Sequence, residues 1–323
     1  MRDLHRQQFL ISERRKHFNY RPLIVSGVLV LLGVGGWRLW LQHNKNHVHN
    51  GFKGQYEELK NDAVTNKGRT IVAITKSDVI QRVRDITQGK QGLYGWFVQS
   101  LKTGDSYGEN IDFAFTAASV NKVPIMITYL LKVEEGNESL EDIYTLRQAD
   151  IEKGTGTLQY QKKGTKYTFA ELLSLSGKLS DNTAANVLAS RVGLGNVQRF
   201  VDAQGMVQTN IVKNTTSPKN MGELFSSLYL DKIFTRVETK QLLFEALTNT
   251  DFEDRISIGV PKGVVVVHKI GNQIQVWNDC GLILGEHPYS LCILTDGIRE
   301  SEAQEILPKI SEIVWRFENQ KRE

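Results

Sequence analysis

The run LIVSGVLVLLGVGGWRLWL at residues 23–41 constrains this chain most: nineteen residues carry one charge, Arg38, near the far end. A helix that crosses a bilayer needs about 20 predominantly apolar residues. Arg38 can snorkel to the interface, and Trp37 and Trp40 suit the headgroup belt. Before the run, residues 1–21 hold six bases (Arg2, Arg6, Arg14, Arg15, Lys16, Arg21) and two acids (Asp3, Glu13). A basic leader stays on the cytoplasmic side, so the body is expected outside. A cleaved signal peptide is the competing reading, but the run is long for one and no A-x-A-like site follows. No cysteine follows it either, which argues against a lipoprotein. The expected organisation is a cytoplasmic leader at 1–21, a single-pass anchor at 22–42, a polar stalk at 43–75 and one outer domain at 76–323.

Charge and composition narrow the body. Taking the leader's six bases and two acids from totals of 40 and 36 leaves 34 of each sign. A neutral body gives no electrostatic reason to expect nucleic acid as a partner. Two cysteines, Cys280 and Cys292, cannot build a disulfide-rich scaffold or a cysteine-based zinc site. They fall on the two arms of one expected hairpin, where a disulfide and two buried thiols are both open. Five of the seven histidines lie at or before residue 49, leaving His268 and His287 for the body. No metal site and no cofactor are expected. His43, His47 and His49 read as part of a solvated linker, and His287 as a turn residue.

The body's pattern runs helix, strands, helical block, strands, helix. Ser77-Asp78 can cap a short helix with Val79, Ile80, Val83 and Ile86 on one face. Strands are expected at Leu93–Leu101 and Asp112–Phe115, around the turn signal Lys102-Thr103-Gly104-Asp105. Residues from about 119 to 250 read as helical, most clearly where Thr168-Phe169-Ala170-Glu171 forms a capping box. Strands follow at Gly263–Ile270, Ile274–Leu284 and Tyr289–Thr295, then an amphipathic helix over Glu302–Phe317. Trp96, Trp277 and Trp315 are expected in the core. The implied fold class is α/β of the α+β type: an antiparallel sheet flanked by helices, with an inserted helical lobe and an N-terminal transmembrane helix.

The helical block opens with Phe115-Thr116-Ala117-Ala118-Ser119-Val120-Asn121-Lys122. On a helix, Ser119 and Lys122 stand three apart on one face. A serine hydroxyl needs a nearby base, and a lysine serves when burial or a neighbouring cation lowers its pKa. S-x-x-K alone is a weak signal. Two further segments accompany it: Ser180-Asp181-Asn182 inside LSDNTAANVL, and His268-Lys269-Ile270-Gly271 on an expected strand.

Together these segments resemble the class A β-lactamases and related penicillin-recognising serine enzymes, whose signatures are S-x-x-K, S-D-N and K-T-G. Gly154-Thr155-Gly156-Thr157-Leu158-Gln159 and Asn214-Thr215-Thr216-Ser217-Pro218 extend the likeness over about residues 76–320. The resemblance implies that Ser119 is acylated and that Lys122 takes its proton. It implies that Ser180 and Lys269 pass a proton to the leaving nitrogen, and that Asn182 binds the substrate's side-chain amide. Backbone N–H groups of Ser119 and of Asn272, which follows Gly271, would form the oxyanion hole. Asp181 reads as structural, and His268 points to the opposite strand face from Lys269. The implied partners are a β-lactam or a peptidoglycan stem peptide, bound by a monomeric outer domain at a bacterial membrane.

Three departures qualify the likeness. The loop between Ser180-Asp181-Asn182 and Asn214-Thr215-Thr216-Ser217-Pro218 looks about fifteen residues short, and no Asp or Glu occurs from Ala203 to Gly222, where class A enzymes keep a deacylating glutamate. Ile270 replaces the usual hydroxyl residue. No Lys or Arg lies between Lys269 and Arg299. The expectation is an acyl-serine enzyme with slow deacylation; the alternative is a non-catalytic β-lactam- or peptidoglycan-binding sensor on a membrane stalk.

Overall fold

The computed structural model describes residues 74–320. The expected leader, membrane span, histidine cluster and most of the stalk lie outside the described residues. Among the described residues, no helix is long and apolar enough to cross a membrane.

The chain enters through α1 (Lys76–Thr87), whose N-cap is Thr75 rather than Ser77. Thr75 Oγ1 accepts from the Asp78 amide, and the Asp78 carboxylate accepts from the Thr75 amide at 2.7 Å. That reciprocal box is worth about 1 kcal/mol at a helix end, and it moves the start two residues earlier than a cap at Ser77 would give. Strand β1 (Leu93–Ser100) then turns at residues 101–105 into β2 (Ser106–Glu109). The expected strand at Asp112–Phe115 is absent. The hairpin closes directly after the turn, and only Phe115–Thr116 form a short β3.

The helical lobe follows. It contains α2 (Lys122–Glu134), a small ladder of β4 (Ile143–Thr145) and β5 (Lys166–Thr168), then α3 (Phe169–Lys178), α4 (Asn182–Val192) and α5 (Leu194–Ala203). The capping box of α3 forms as the sequence indicates, Thr168 accepting from Glu171 N and Glu171 closing back on Thr168 N. After β6 (Thr215–Thr216), which pairs with β3, come α6 (Pro218–Tyr229) and α7 (Val237–Ala246). The chain returns to the sheet as β7 (Val265–Gln273), β8 (Val276–Leu284) and β9 (Tyr289–Asp296) and ends in α8 (Glu300–Glu318).

The sheet order is β2-β1-β9-β8-β7, antiparallel at every pairing. Strand pairs far apart in sequence therefore sit side by side, with the helical lobe inserted between them. Side chains alternate across the sheet. Phe97, Cys292, Cys280 and Lys269 lie in one cross-strand row facing the helical lobe. Trp96, Ile293, Asp279 and Ile270 form the adjacent row toward the opposite face, which packs on α1 and α8. Cys280 and Cys292 are directly opposed and joined as a disulfide. Trp96 is buried as expected, whereas Trp277 and Trp315 are only half-buried at the edge of the second core. Large side chains excluded from water in this way contribute roughly 1.5–3 kcal/mol each.

Candidate active site

Three segments of the helical lobe and the edge strand β7 converge. Residues Ala118–Asn121 form a 3-10 turn that runs straight into α2, so Ser119 precedes the α-helix and Lys122 opens it. Two amide side chains hold this turn in place. Asn278 on β8 donates through Nδ2 to the carbonyls of Thr116 at 2.8 Å and Ala117 at 3.2 Å. Its Oδ1 accepts from the Thr295 amide, tying the turn to the centre of the sheet. From the other side, the Ala117 amide donates to the Asn214 carbonyl at 2.9 Å, and Asn121 Nδ2 donates to Asn214 Oδ1 at 3.1 Å. The preceding Ala118 has φ 49°, a left-handed conformation that costs energy for a residue with a Cβ and persists because both flanks are tied down.

Lys122 is buried, and its ammonium is met from the second segment. Nζ donates to the Ser180 carbonyl at 2.5 Å, to Ser180 Oγ at 3.3 Å and to Asn182 Oδ1 at 2.6 Å. Burial is the largest influence and drives the Lys122 pKa down to about 7, with the Asp181 charge pulling the other way. An amine at that pKa is about half neutral, and so available as a base, at neutral pH. Ser180 itself is left-handed, with φ 51°, which presents both its carbonyl and its hydroxyl to Lys122.

Asp181 does structural work. Oδ1 caps α4 by accepting from Ala184 N at 2.9 Å, and Oδ2 accepts from the amides of Thr157 and Leu158 at 2.6 and 2.8 Å. It thereby fastens the Gly154–Gln159 segment to the start of α4. Gly156, at φ 98°, lies so close to Asp181 that a Cβ there would overlap the carboxylate. Asn182 completes the join by donating through Nδ2 to the Lys153 carbonyl at 2.8 Å.

Lys269, on β7, is fully buried, and its Nζ makes one long hydrogen bond to the Ile270 carbonyl at 3.4 Å. Burial first, then the nearby Lys122 charge, holds its pKa well below the usual lysine range. Gly271 lets β7 approach the serine turn: a Cβ there would stand 2.6 Å from the Ala117 carbonyl oxygen and 3.2 Å from the Ser119 amide nitrogen. Asn272 follows, opposite Trp277, with a buried Oδ1 that has no hydrogen-bond partner among the described residues. Ile270 is buried and shares the sheet face of His268 and Asp279, so its side chain offers the site no polar atom.

His268 lies on the opposite face from Lys269, as strand alternation requires. It is not simply packed among apolar groups, however. Its Nδ1 meets Asp279 Oδ1 at 2.8 Å and its Nε2 meets Glu253 Oε1 at 3.2 Å. Burial disfavours the charged ring, but the Asp279 charge and the two hydrogen bonds outweigh it and raise the pKa to about 9. Ile256 N donates to the same Asp279 carboxylate, so this triad staples the 250–257 segment beneath the strand that carries Lys269.

The geometry thus gathers Ser119, Lys122, Ser180, Asn182, Lys269, Gly271 and Asn272 around one place. Sequence reasoning missed Asn278 and Asn121, and missed Asn214 as a brace, because each works through hydrogen bonds to residues distant in the chain, with no motif that announces the role. It also passed over Glu152, which lines a cavity of about 280 Å³ beside Lys122 and Asn182. Glu152 stands just ahead of the Gly154-Thr155-Gly156 segment, which is the one signal that could have drawn attention to it.

A nucleophile candidate at a helix start, a lysine of lowered pKa three residues on and a second lysine on a facing strand define a serine hydrolase of the acyl-enzyme type. Residues 78–317 match the model of the beta-lactamase enzyme family, and the chain belongs to that family. Beta-lactamase VEB-1 of Pseudomonas aeruginosa is 22% identical over 265 residues, 73% of this chain and 89% of that protein. Beta-lactamase Toho-1 of Escherichia coli is 26% identical over 235 residues, 68% and 80% of the two chains. Among solved structures, a beta-lactamase from Sphaerobacter thermophilus superposes with a TM-score of 0.71 at 24% identity, over 77% of this chain and all of that one. PBP-A superposes with a TM-score of 0.70 at 24% identity, over 74% and 95%, and a variant of it was solved as an acyl-enzyme complex with penicillin G. The protein is a β-lactamase-like serine hydrolase.

Proposed function

We propose that this hydrolase is anchored in a bacterial membrane by residues 23–41, with its catalytic domain outside the cytoplasm and monomeric, and that Ser119 is acylated by β-lactams or by cell-wall peptide amides. The observation that carries the reading is Lys122: buried, held by Ser180 and Asn182 at the base of the serine turn, and lowered to about pKa 7. In this scheme Lys122 takes the Ser119 proton as the hydroxyl attacks the amide carbonyl. The Ser119 and Asn272 amides stabilise the oxyanion, and Ser180 with Lys269 delivers a proton to the departing nitrogen. The close approach that Gly271 allows between β7 and the Ser119 amide supports the oxyanion assignment.

Deacylation is proposed to be slow. Residues 204–217, between α5 and α6, offer amides, hydroxyls and Lys213 but no carboxylate. Amides orient a water without accepting its proton, and loss of general-base assistance costs roughly 10²–10⁴ in rate. The test is fluorescent-penicillin labelling with the adduct mapped by mass spectrometry, followed by a pre-steady-state assay with a chromogenic cephalosporin. A single adduct on Ser119 and a stoichiometric burst before a slow phase are expected. An adduct elsewhere defeats the acylation scheme; rapid turnover without a burst defeats slow deacylation.

A further inference from the structure

The cavity beside Lys122 has a charge pattern that the proposed reaction does not use. At about 280 Å³ it falls just below the range of pockets that enclose whole small ligands, roughly 300–1,000 Å³, so it suits one side chain of a larger substrate. Its apolar lining includes Ile125, Ala185, Ala189 and Ile211, and its two charged lining residues are Lys122 and Glu152. Lys122 is already engaged by Ser180 and Asn182. Glu152 has no salt-bridge partner among the described residues, and the adjacent Lys153 does not line the cavity. The remaining polar lining is uncharged amide.

The backbone that carries Glu152 is fixed to the cavity wall. Its amide donates to Thr183 Oγ1 at 3.0 Å, and that hydroxyl donates back to the Glu152 carbonyl at 3.2 Å. On either side, Asn186 Nδ2 donates to the Asp150 carbonyl and Asn182 Nδ2 to the Lys153 carbonyl. Four hydrogen bonds thus fix the backbone of residues 150–153 against the first turns of α4, the helix that also supplies Asn182, Ala185 and Ala189, and leave the Glu152 side chain exposed at the cavity. An aliphatic trough with amide walls and one available carboxylate complements an aliphatic stem that ends in a cation.

We propose that Glu152 determines acyl-side specificity, favouring substrates whose acyl group carries an aliphatic chain ending in an ammonium group. The proposal rests on acylation at Ser119. Glu152 acts by pairing with the substrate's charge and takes no part in proton transfer.

The test compares two penicillins on the full-length protein: one with a 5-aminopentanoyl side chain, the other its N-acetylated counterpart. Wild type should be acylated faster by the ammonium form by roughly two- to five-fold, the scale of a partly exposed ion pair. Glu152→Gln should erase that preference, and Glu152→Asp should retain part of it. Raising salt from about 0.05 to about 0.5 M should shrink it in wild type, which a purely structural role would not produce. Equal discrimination by wild type and Glu152→Gln overturns the proposal. So does an unchanged preference accompanied by slower deacylation, which would make Glu152 the missing hydrolytic base. Absence of Ser119 labelling by either compound, in wild type, overturns the underlying acylation scheme and the proposal with it.

Discussion

Replacing His268 with Gln should flatten the protein's alkaline stability profile. His268 is fully buried between Asp279 and Glu253, and its pKa rises from 6.5 to about 9. A proton bound more tightly in the folded state stabilises it, at 1.36 kcal/mol per pKa unit. The difference of 9 − 6.5 corresponds to about 3 kcal/mol. Because the folded pKa is raised, this contribution is complete below about 6.5, declines above it and is lost as pH passes about 9. Glu253, lowered to about 2, behaves oppositely: its contribution is present above about 4.5 and lost as pH falls through about 2. The assay is urea unfolding of wild type and His268→Gln at about pH 6 and about pH 10. Titrating groups outside the His268, Asp279 and Glu253 triad are common to both proteins and cancel in the difference. The gap between the two should narrow by about 3 kcal/mol at the higher pH, or roughly 6–12 °C in melting temperature for a domain of this size. Stability curves that stay parallel across that range would refute the charged-triad account.

Acylation by a penicillin should rise about tenfold per pH unit below about 7 and level off above it, because Lys122 must be neutral to accept the Ser119 proton. Stopped-flow rates against pH check this, and a flat profile would remove Lys122 as the base. Lys122→Ala should slow the same step by roughly 10²–10⁴. Gly271→Ala should leave the protein folded by circular dichroism but cut acylation by roughly 10², since the new methyl must displace the Ala117 carbonyl and shift the Ser119 amide. Protease added to intact spheroplasts should digest the catalytic domain; a domain that survives until the membrane is broken would reverse the proposed orientation.

Local signals in the sequence decided a good deal. Thr168 and Glu171 are close in the chain and fold into the same box wherever the helix lies, so the start of α3 was legible. The alternation of β7 was equally readable and placed His268 and Lys269 on opposite faces. The serine, lysine and asparagine segments pointed to a candidate site through their resemblance to a family signature, because such a signature is carried by residue type and short spacing. Competing short-range bonds misled at the edges: Thr75 outcompetes Ser77 as a cap because Asp78 can close the box on it.

Other features exist only once distant segments meet. The pKa of Lys122 depends on burial and on the opposing charge of Asp181, about sixty residues away in the chain. The serine turn is held by Asn278 and Asn214, whose partners are backbone atoms of the turn, which any residue type would supply, and the Asn121 side chain. His268 reads as an ordinary packed histidine until Glu253 and Asp279 close around it. Cys280 and Cys292 become bonded partners because the register of β8 on β9 sets them opposite each other. Glu152 comes to line the cavity beside Lys122 only because the Thr183, Asn182 and Asn186 side chains pin its segment to α4. Chain-local chemistry is written in residue order; burial, long-range pairing and the fields they create arise only from the packed fold.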